Sequence, residues 1–247
     1  ATSSVPLGLY LCADFVEALP IAAFGLRLES REFTIALCLR LGLPVIPNVA
    51  PGPLCQLRKC KAPLDPLGHH CISCKSGGHV VRRHNSVVRT IERFVSALPG
   101  SSTKFEKSLS ESLSSRPGDL WCKGVALRCH EYYLDVTVVN PSCQSMCARS
   151  SKAPLAAALS AEETKSRKYE EEFELLEPLM ELKPVFIPIA IECFGSFGPS
   201  ARKFFQTLSN ATSTFNSSPF QGRLQSLLQA VSVTLQRCNG SMIALSR

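Results

Sequence analysis

The chain has 247 residues, 45% of them hydrophobic and 19% charged, and its net charge is +7. This composition excludes an intrinsically disordered chain, and no apolar run approaches the roughly 20 residues that a membrane-spanning helix requires. The length allows one large domain with small appendages, and the positive charge gives a weak indication of nucleic acid as a partner.

The chain contains twelve cysteine residues, which allow two interpretations. A secreted protein would pair them in disulfides, whereas an intracellular protein would use some as metal ligands and bury the others. No secretory signal is evident, because the apolar segment Val5–Cys12 is short and has no basic residues before it. We therefore expect a reducing, intracellular compartment and no membrane partner.

Residues 1–47 are predicted to form an N-terminal helical segment. Apolar residues recur at helical spacing between Leu26 and Leu41, and Gly42 and Pro44 follow as stop signals.

The next segment, residues 48–83, is dense in Pro, Gly, Cys and His and has no sustained periodicity. Such a segment buries little apolar surface, so it needs a covalent or metal crosslink to fold.

Six potential zinc ligands lie between positions 55 and 74 of this segment. Zn²⁺ prefers four sulfur or nitrogen ligands in tetrahedral geometry, and two pairs separated by a loop are the usual arrangement. Four protein ligands leave no open coordination position, which indicates a structural ion. The Cys-x4-Cys spacing of the first pair is at the wide end for such sites. We predict the ligands Cys55, Cys60, His70 and Cys74, with His69 and Cys71 as spare candidates.

Residues 84–200 are predicted to form a mixed α/β core. Residues 84–98 have an apolar stripe of helical period, which Pro99-Gly100 ends. The Ser-rich residues 101–115 are predicted to be a loop or ragged edge. The β-branched and aromatic stretch Tyr132–Val139 is typical of a strand, and Arg116–Trp121 is a plausible partner strand.

The second half of this core is predicted to be a helix followed by a strand. Residues 155–183 are rich in helix-forming residues, and Ser160 with Glu163 matches a capping box where the helix could begin. The nearly continuous apolar stretch Val185–Ile191 is typical of a strand that is covered on both faces. Residues 201–247 are predicted to form a weaker helical tail that packs on the core.

Two acidic residues, Asp119 and Asp135, lie on the two predicted neighbouring strands. Adjacent antiparallel strands can bring such residues side by side, where each carboxylate raises the proton affinity of the other unless a cation lies between them. Mg²⁺ is commonly held by one or two carboxylates together with substrate phosphate oxygens. The pair therefore predicts a Mg²⁺ or Mn²⁺ site, although each aspartate alone is equally typical of an exposed strand edge.

Two lysines, Lys165 and Lys168, lie three positions apart on the following predicted helix and share a face, and Tyr169 follows them. A lysine near a metal site could orient the attacking water or stabilise the negative charge of a phosphoryl transition state. The alternative is an ordinary solvated face of a lysine-rich helix. The residues alone do not distinguish these alternatives.

Taken together, the segments resemble the restriction-like endonuclease region of site-specific non-LTR retrotransposon proteins. In that family a Cys-Cys-His-Cys zinc knuckle precedes a Pro-Asp strand, a second acidic strand and a Lys-x-x-Lys-Tyr helix. The resemblance covers residues 24–200. It is carried by Arg40-Leu41-Gly42-Leu43-Pro44, Leu64-Asp65-Pro66-Leu67-Gly68-His69-His70-Cys71-Ile72-Ser73-Cys74-Lys75, Arg83-His84-Asn85, Arg116-Pro117-Gly118-Asp119, Leu134-Asp135-Val136-Thr137-Val138, Lys165-x-x-Lys168-Tyr169 and Ile191-Glu192-Cys193-Phe194-Gly195.

The resemblance implies a PD-(D/E)xK restriction-endonuclease-like fold, with a mixed sheet flanked by helices after the zinc knuckle. It implies Asp119 and Asp135 as metal ligands and places the catalytic lysine at Lys165 or Lys168, because Thr137 stands where that superfamily usually has its lysine. It also implies a nuclear protein that nicks DNA for retrotransposition, with the element's RNA as a further candidate partner. The basic residues predicted to contact nucleic acid are Arg82, Arg83, His84 and Arg116.

Two alternatives to an active endonuclease remain open at this point. One is a zinc-stabilised module that binds nucleic acid without cutting it, and the other is a decayed retroelement fragment. The chain contains no reverse-transcriptase motif of paired aspartates after an aromatic residue. Polymerisation by this chain alone is therefore excluded, and the oligomeric state is not predicted.

Overall fold

A computed structural model describes residues 14–22, 25–46, 52–57, 59–108, 116–125, 130–176, 183–213 and 223–246. The predicted helical residues before position 14 and part of the Ser-rich stretch 101–115 lie outside these ranges. The helices are α1 (Asp14–Glu17), α2 (Ser30–Leu41), α3 (His79–Ser96), α4 (Cys147–Ser150), α5 (Ala156–Leu176), α6 (Pro199–Ser213) and α7 (Arg223–Ser246). The strands are β1 (Ser102–Phe105), β2 (Leu120–Lys123), β3 (His130–Val139) and β4 (Lys183–Glu192).

The four strands form one mixed sheet in the order β1-β2-β3-β4. Strands β1 to β3 pair antiparallel, whereas β4 runs parallel to β3 over ten residue pairs, from His130 with Lys183 to Val139 with Glu192. A parallel pair needs a long crossover connection, and α4 and α5 lie within it. The prediction of a mixed α/β fold, with a mixed sheet flanked by helices, is therefore confirmed.

The period-two alternation of β3 assigns its side chains to two faces of the sheet. Leu134 and Val136 face a large apolar core that includes residues of α3, α6 and α7. Tyr133 faces the opposite side, where it packs with Tyr169 and Phe173 of α5. Asp135 follows Tyr133 by two positions and therefore lies on the α5 side, which determines its partners.

Helix α5 begins at Ala156, so the predicted start at the Ser160 and Glu163 capping box is wrong. The first backbone N–H groups of this helix are satisfied by a distant residue instead: the buried Glu192 at the end of β4 accepts a hydrogen bond from the backbone N–H of Ala158 at 3.4 Å.

In the same way, the buried Glu162 of α5 caps the N-terminus of α6. Its carboxylate accepts hydrogen bonds from the backbone N–H groups of Ser200 at 3.2 Å and Ala201 at 3.4 Å. Burial raises the pKa of Glu162 and of Glu192, and these N–H groups oppose that shift by favouring the ionised form. Carboxylates therefore connect α5 with α6 and α5 with β4.

The prediction that residues 101–115 form a loop or ragged edge is wrong for residues 102–105, which form the edge strand β1. All four residues of this short strand are exposed or half-buried. It therefore lacks the alternation of apolar and polar residues that identifies a strand in a sequence.

The C-terminal region is more extensive than a weak tail. Helix α7 is 24 residues long and packs against α1, α2, α3 and α6. The first half of α7 packs in the main core. Ile243, near the end of α7, packs in a second core with Ile35 and Leu39 of α2 and with Ile72 and other residues of the predicted zinc segment. No helix among the described residues is both long enough and apolar enough to span a bilayer.

Candidate functional site

The four predicted zinc ligands come together in the structure. The ligand atoms of Cys55, Cys60, His70 and Cys74 all lie within 4.8 Å of one another. The Cys74 Sγ lies 4.0 Å from the Cys55 Sγ and 3.5 Å from the Cys60 Sγ, and the Cys60 Sγ lies 3.3 Å from the His70 Nε2. Tetrahedral zinc with a Zn–S distance of about 2.3 Å places sulfurs about 3.8 Å apart. The cluster is therefore confirmed, and its geometry could hold a structural zinc ion.

A carboxylate positions the histidine of this cluster. Asp65 accepts hydrogen bonds from the backbone N–H groups of His69 at 2.9 Å and His70 at 2.7 Å. The ring of His69 lies near Phe194, with 6.2 Å between ring centroids, whereas His70 directs its Nε2 into the cluster. Cys71 is fully buried in the second core. The two spare candidates, His69 and Cys71, are thus not part of the cluster.

Burial raises the pKa of the Cys55 thiol to about 11. A thiol with this pKa is protonated at neutral pH, whereas zinc binds the thiolate. Metal binding at neutral pH must therefore displace a proton from Cys55.

The predicted catalytic residues other than Lys168 line a second site, an open cavity of about 560 Å³ between α3, β3 and α5. We call it the acidic cavity. Among its lining residues are His84, Arg116, Asp119, Asp135, Lys165 and Tyr169, all of which the sequence analysis selected.

Asp119 immediately precedes β2 and is fixed against β3. Its backbone N–H donates to the Leu134 carbonyl oxygen at 2.8 Å, and its Oδ2 accepts from the Val136 backbone N–H at 2.7 Å. Gly118 allows this approach, because a Cβ there would lie 2.8 Å from the Leu134 carbonyl oxygen. The His84 Nε2 lies 3.1 Å from the Asp119 Oδ1, and this hydrogen bond raises the pKa of His84. Three hydrogen bonds, two to β3 and one to α3, thus fix the position of Asp119.

Asp135 is nearly buried, with 6% of its surface exposed, and faces α5. Its Oδ2 accepts a hydrogen bond from the Lys165 Nζ at 2.8 Å, and its Oδ1 accepts one from the Thr137 hydroxyl at 3.4 Å. Burial raises the pKa of Asp135; Lys165 lowers it, and the charge of Asp119 raises it further. The charge of Asp119 therefore acts on the protonation of Asp135 across the acidic cavity.

The two candidate lysines differ in position. The Lys165 Nζ reaches Asp135, whereas Lys168 is exposed and its Nζ donates to the Tyr169 hydroxyl at 2.8 Å. That hydrogen bond raises the pKa of Lys168. Of the two lysines, Lys165 therefore contacts the acidic residues, while Lys168 interacts with Asp135 only at longer range.

The four predicted nucleic-acid contacts separate into different environments. Arg82 is exposed, and His84 and Arg116 line the acidic cavity. Arg83 is buried, with 3% of its surface exposed, and its Nη1 donates to the Ile72 carbonyl oxygen at 3.0 Å and to the Asn239 Oδ1 at 2.8 Å. The prediction that Arg83 contacts nucleic acid is therefore wrong, because its guanidinium joins α3, α7 and the zinc segment inside the protein.

Replacing Arg83 by methionine should lower the free energy of unfolding by on the order of 3 kcal/mol, because two buried acceptors lose a charged donor. Chemical denaturation would measure this loss. Arg82→Met is the matched control, since Arg82 is exposed and donates to the carbonyl oxygen of the exposed Gly77. Equal stability of the two variants would contradict the structural role of Arg83.

The sequence analysis missed a charged residue that lines the acidic cavity. Glu106 follows β1, lines the acidic cavity and forms an ion pair with Arg116 at 3.2 Å. It lies in the Ser-rich stretch that was predicted to be a loop. No local signal could have identified it, because the pairing of β1 with β2 brings it to the cavity.

No protein-family model matches the chain, and no curated protein matches it at a significant level. The resemblance to retrotransposon endonucleases therefore stays a prediction that depends on the motifs quoted above.

Proposed function

We propose that the chain is a Mg²⁺-dependent DNA endonuclease region of a retroelement-derived protein, with a fold of the PD-(D/E)xK type. The observation that carries the proposal is the acidic cavity, where Asp135 is paired with Lys165 at 2.8 Å and Asp119 lines the same space. Paired carboxylates with an adjacent ammonium are suited to phosphodiester chemistry, since they can hold a cation and neutralise developing negative charge.

The residues present fit a divalent cation. Carboxylate oxygens are the ligands that Mg²⁺ prefers, and Asp119 and Asp135 would hold the ion. The burial that raises the pKa of Asp135 is an electrostatic cost that a cation would offset. When bound, Mg²⁺ polarises a phosphodiester and helps to generate hydroxide. Mn²⁺ has similar ligand preferences and is the expected substitute.

The other groups of the cavity act on the phosphate. Lys165 stabilises the ionised form of Asp135 and places a positive charge where negative charge develops during cleavage. Arg116 adds positive charge to the cavity, and His84, whose pKa Asp119 raises, adds positive charge when it is protonated. Arg116 can form paired hydrogen bonds with a phosphate once it is released from Glu106. Tyr169 lines the cavity, as Lys165 does, and its hydroxyl accepts a hydrogen bond from Lys168.

The Cys/His cluster has a different part in this proposal. Zinc bound by Cys55, Cys60, His70 and Cys74 would fold a segment that has little regular structure of its own. A nuclear, reducing location would keep these thiols available for the metal. The element's RNA is a further candidate partner of the basic surface.

The experiment that tests the proposal is the nicking of supercoiled plasmid DNA by the purified chain. We expect nicking with Mg²⁺ or Mn²⁺ and none without them, and we expect Asp119→Ala to remove it. Nicking that persists in both Asp119→Ala and Asp135→Ala would refute the assignment, because neither proposed ligand would then be needed.

A second candidate function is nucleic-acid binding without cleavage. The specific observation in its favour is that both Asp119 oxygens already accept hydrogen bonds from the protein, one from Val136 and one from His84. On this alternative the basic surface binds phosphates, so affinity should fall steeply with added salt. Binding that Asp119→Ala leaves unchanged, without any nicking, would favour it.

A further inference from the structure

A smaller hollow of about 230 Å³ adjoins the acidic cavity. It shares His84, Glu106 and Asp119 with that cavity, so the two spaces meet at the candidate metal ligand Asp119. Its other lining residues include Asn85 and Arg89 of α3 and Phe105 of β1. We call it the side hollow.

Phe105 gives the side hollow an exposed aromatic wall. It is the last residue of β1, pairs with Leu120 of β2, and is 48% exposed. The backbone N–H of the next residue, Glu106, donates to the Asp119 carbonyl oxygen at 3.1 Å, and Glu106 has a positive φ of 45°. Residues other than glycine rarely adopt a positive φ, and backbone strain of this kind is concentrated at functional sites. Backbone pairing thus holds Phe105 next to Asp119.

Helix α3 supplies polar and positive groups to the same hollow. Asn85 and Arg89 are both exposed and four residues apart, so they lie on one face of the helix. Arg82 and Arg93, also exposed, continue that face in both directions at helical spacing. An aromatic ring, an amide and a guanidinium in one hollow suit a planar, hydrogen-bonding group attached to an anionic chain.

We propose that the side hollow binds one unpaired nucleobase of a DNA strand whose neighbouring phosphate lies in the acidic cavity. Phe105 stacks on the base, Asn85 contacts its edge, and Arg89 neutralises the adjoining phosphate. The proposal deepens the proposed function and rests on it for the position of the phosphate. The proposal implies a preferred substrate. This substrate is DNA that, beside the cleaved bond, is single-stranded or has a nucleotide extruded from the duplex.

The test measures the binding of fluorescent 12-nucleotide strands to the zinc-loaded chain without added Mg²⁺, so that cleavage cannot interfere. The strands are oligothymidine and an abasic strand with the same number of phosphates. We expect tighter binding of oligothymidine, and we expect Phe105→Ala to weaken it about five- to a hundredfold while leaving the abasic strand unaffected. Leu41→Ala, at an exposed leucine of α2, is the control that should change neither affinity.

A second variant reports contact directly. Phe105→Trp introduces an exposed tryptophan, whereas the single natural tryptophan, Trp121, is buried. Oligothymidine should quench the new fluorescence and the abasic strand should not, and the control Leu41→Trp should be insensitive to both. Equal affinity of the wild-type chain for the two strands, an unchanged affinity in Phe105→Ala, or binding of oligouridine RNA as tight as that of DNA would overturn the proposal.

The outcomes separate this proposal from the endonuclease assignment. Base-dependent binding that is lost in Phe105→Ala, in a chain that never nicks plasmid, would support the side hollow and refute the nuclease. Plasmid nicking by a chain that binds the abasic strand as tightly as oligothymidine would support the nuclease assignment and refute the base-binding role of the side hollow.

Discussion

Asp135→Asn should reduce Mg²⁺-dependent nicking of plasmid DNA by at least about a hundredfold. Asparagine has nearly the same shape as aspartate but supplies no negative charge to a cation or to Lys165, which lies 2.8 Å from the carboxylate. Because Asp135 is nearly buried, its electrostatic contribution is weakly screened by solvent. The measurement is the initial rate of conversion of supercoiled to open-circular DNA.

Glu163→Gln is the matched control for this prediction, because it removes a carboxylate from the exposed side of α5, where Glu163 pairs with Arg167. It should nick at the wild-type rate. Lys165→Met should also lose more activity than Lys168→Met, since only Lys165 contacts Asp135 directly. Thermal melting must show that all variants are folded. A folded Asp135→Asn chain with wild-type nicking would contradict the assigned role.

Cys74→Ser should abolish the binding of one zinc ion per chain and lower the melting temperature by about 10 °C, if several kcal/mol of stability depend on the metal. Between Gly52 and Gly78 the described chain forms no α-helix and only short 3-10 turns and one isolated bridge. Its order therefore depends on the second core and on the four-residue cluster. Metal analysis after gel filtration, together with melting curves, measures both effects.

Cys147→Ser provides the comparison for the zinc prediction. Cys147 is an exposed thiol outside the cluster, so its replacement should change neither the zinc content nor the melting temperature. A wild-type chain that binds no zinc, or a Cys74→Ser chain with full zinc content and stability, would show that the cluster does not hold a structural metal.

The features that the sequence predicted well depend on local chemistry. The Cys/His cluster follows from residue type and spacing within a short segment. Spacing leaves the choice between His69 and His70 open, and the structure makes it by directing the His70 Nε2 to the Cys60 Sγ. Strand β4 is evident from the sequence because Val185–Ile191 is apolar almost throughout. Asp119 and Asp135 line one cavity, since antiparallel pairing of β2 and β3 brings neighbouring strand positions together.

The features that the sequence did not predict depend on contacts between distant residues. Arg83 looks like its exposed neighbour Arg82, and only the packing of α7 against α3 shows that Arg83 is buried against Asn239. The start of α5 is set by Glu192, which lies 34 positions beyond the capped residue, so a local capping pattern was misleading. Lys165 and Lys168 share a face of α5, so the sequence alone does not show which of them contacts Asp135. That depends on how α5 is oriented about its axis when it packs on the sheet.

The capping of α6 by Glu162 gives Gly198 a part in the connection between α5 and α6. A Cβ on Gly198 would lie 2.1 Å from the Glu162 Oε1, so any other residue at this position would push the Glu162 carboxylate away from the start of α6. Glu162 precedes Lys165 by about one helical turn of α5. The helix that carries the ammonium group beside Asp135 is thus linked to α6 by a carboxylate that fits because position 198 has no side chain.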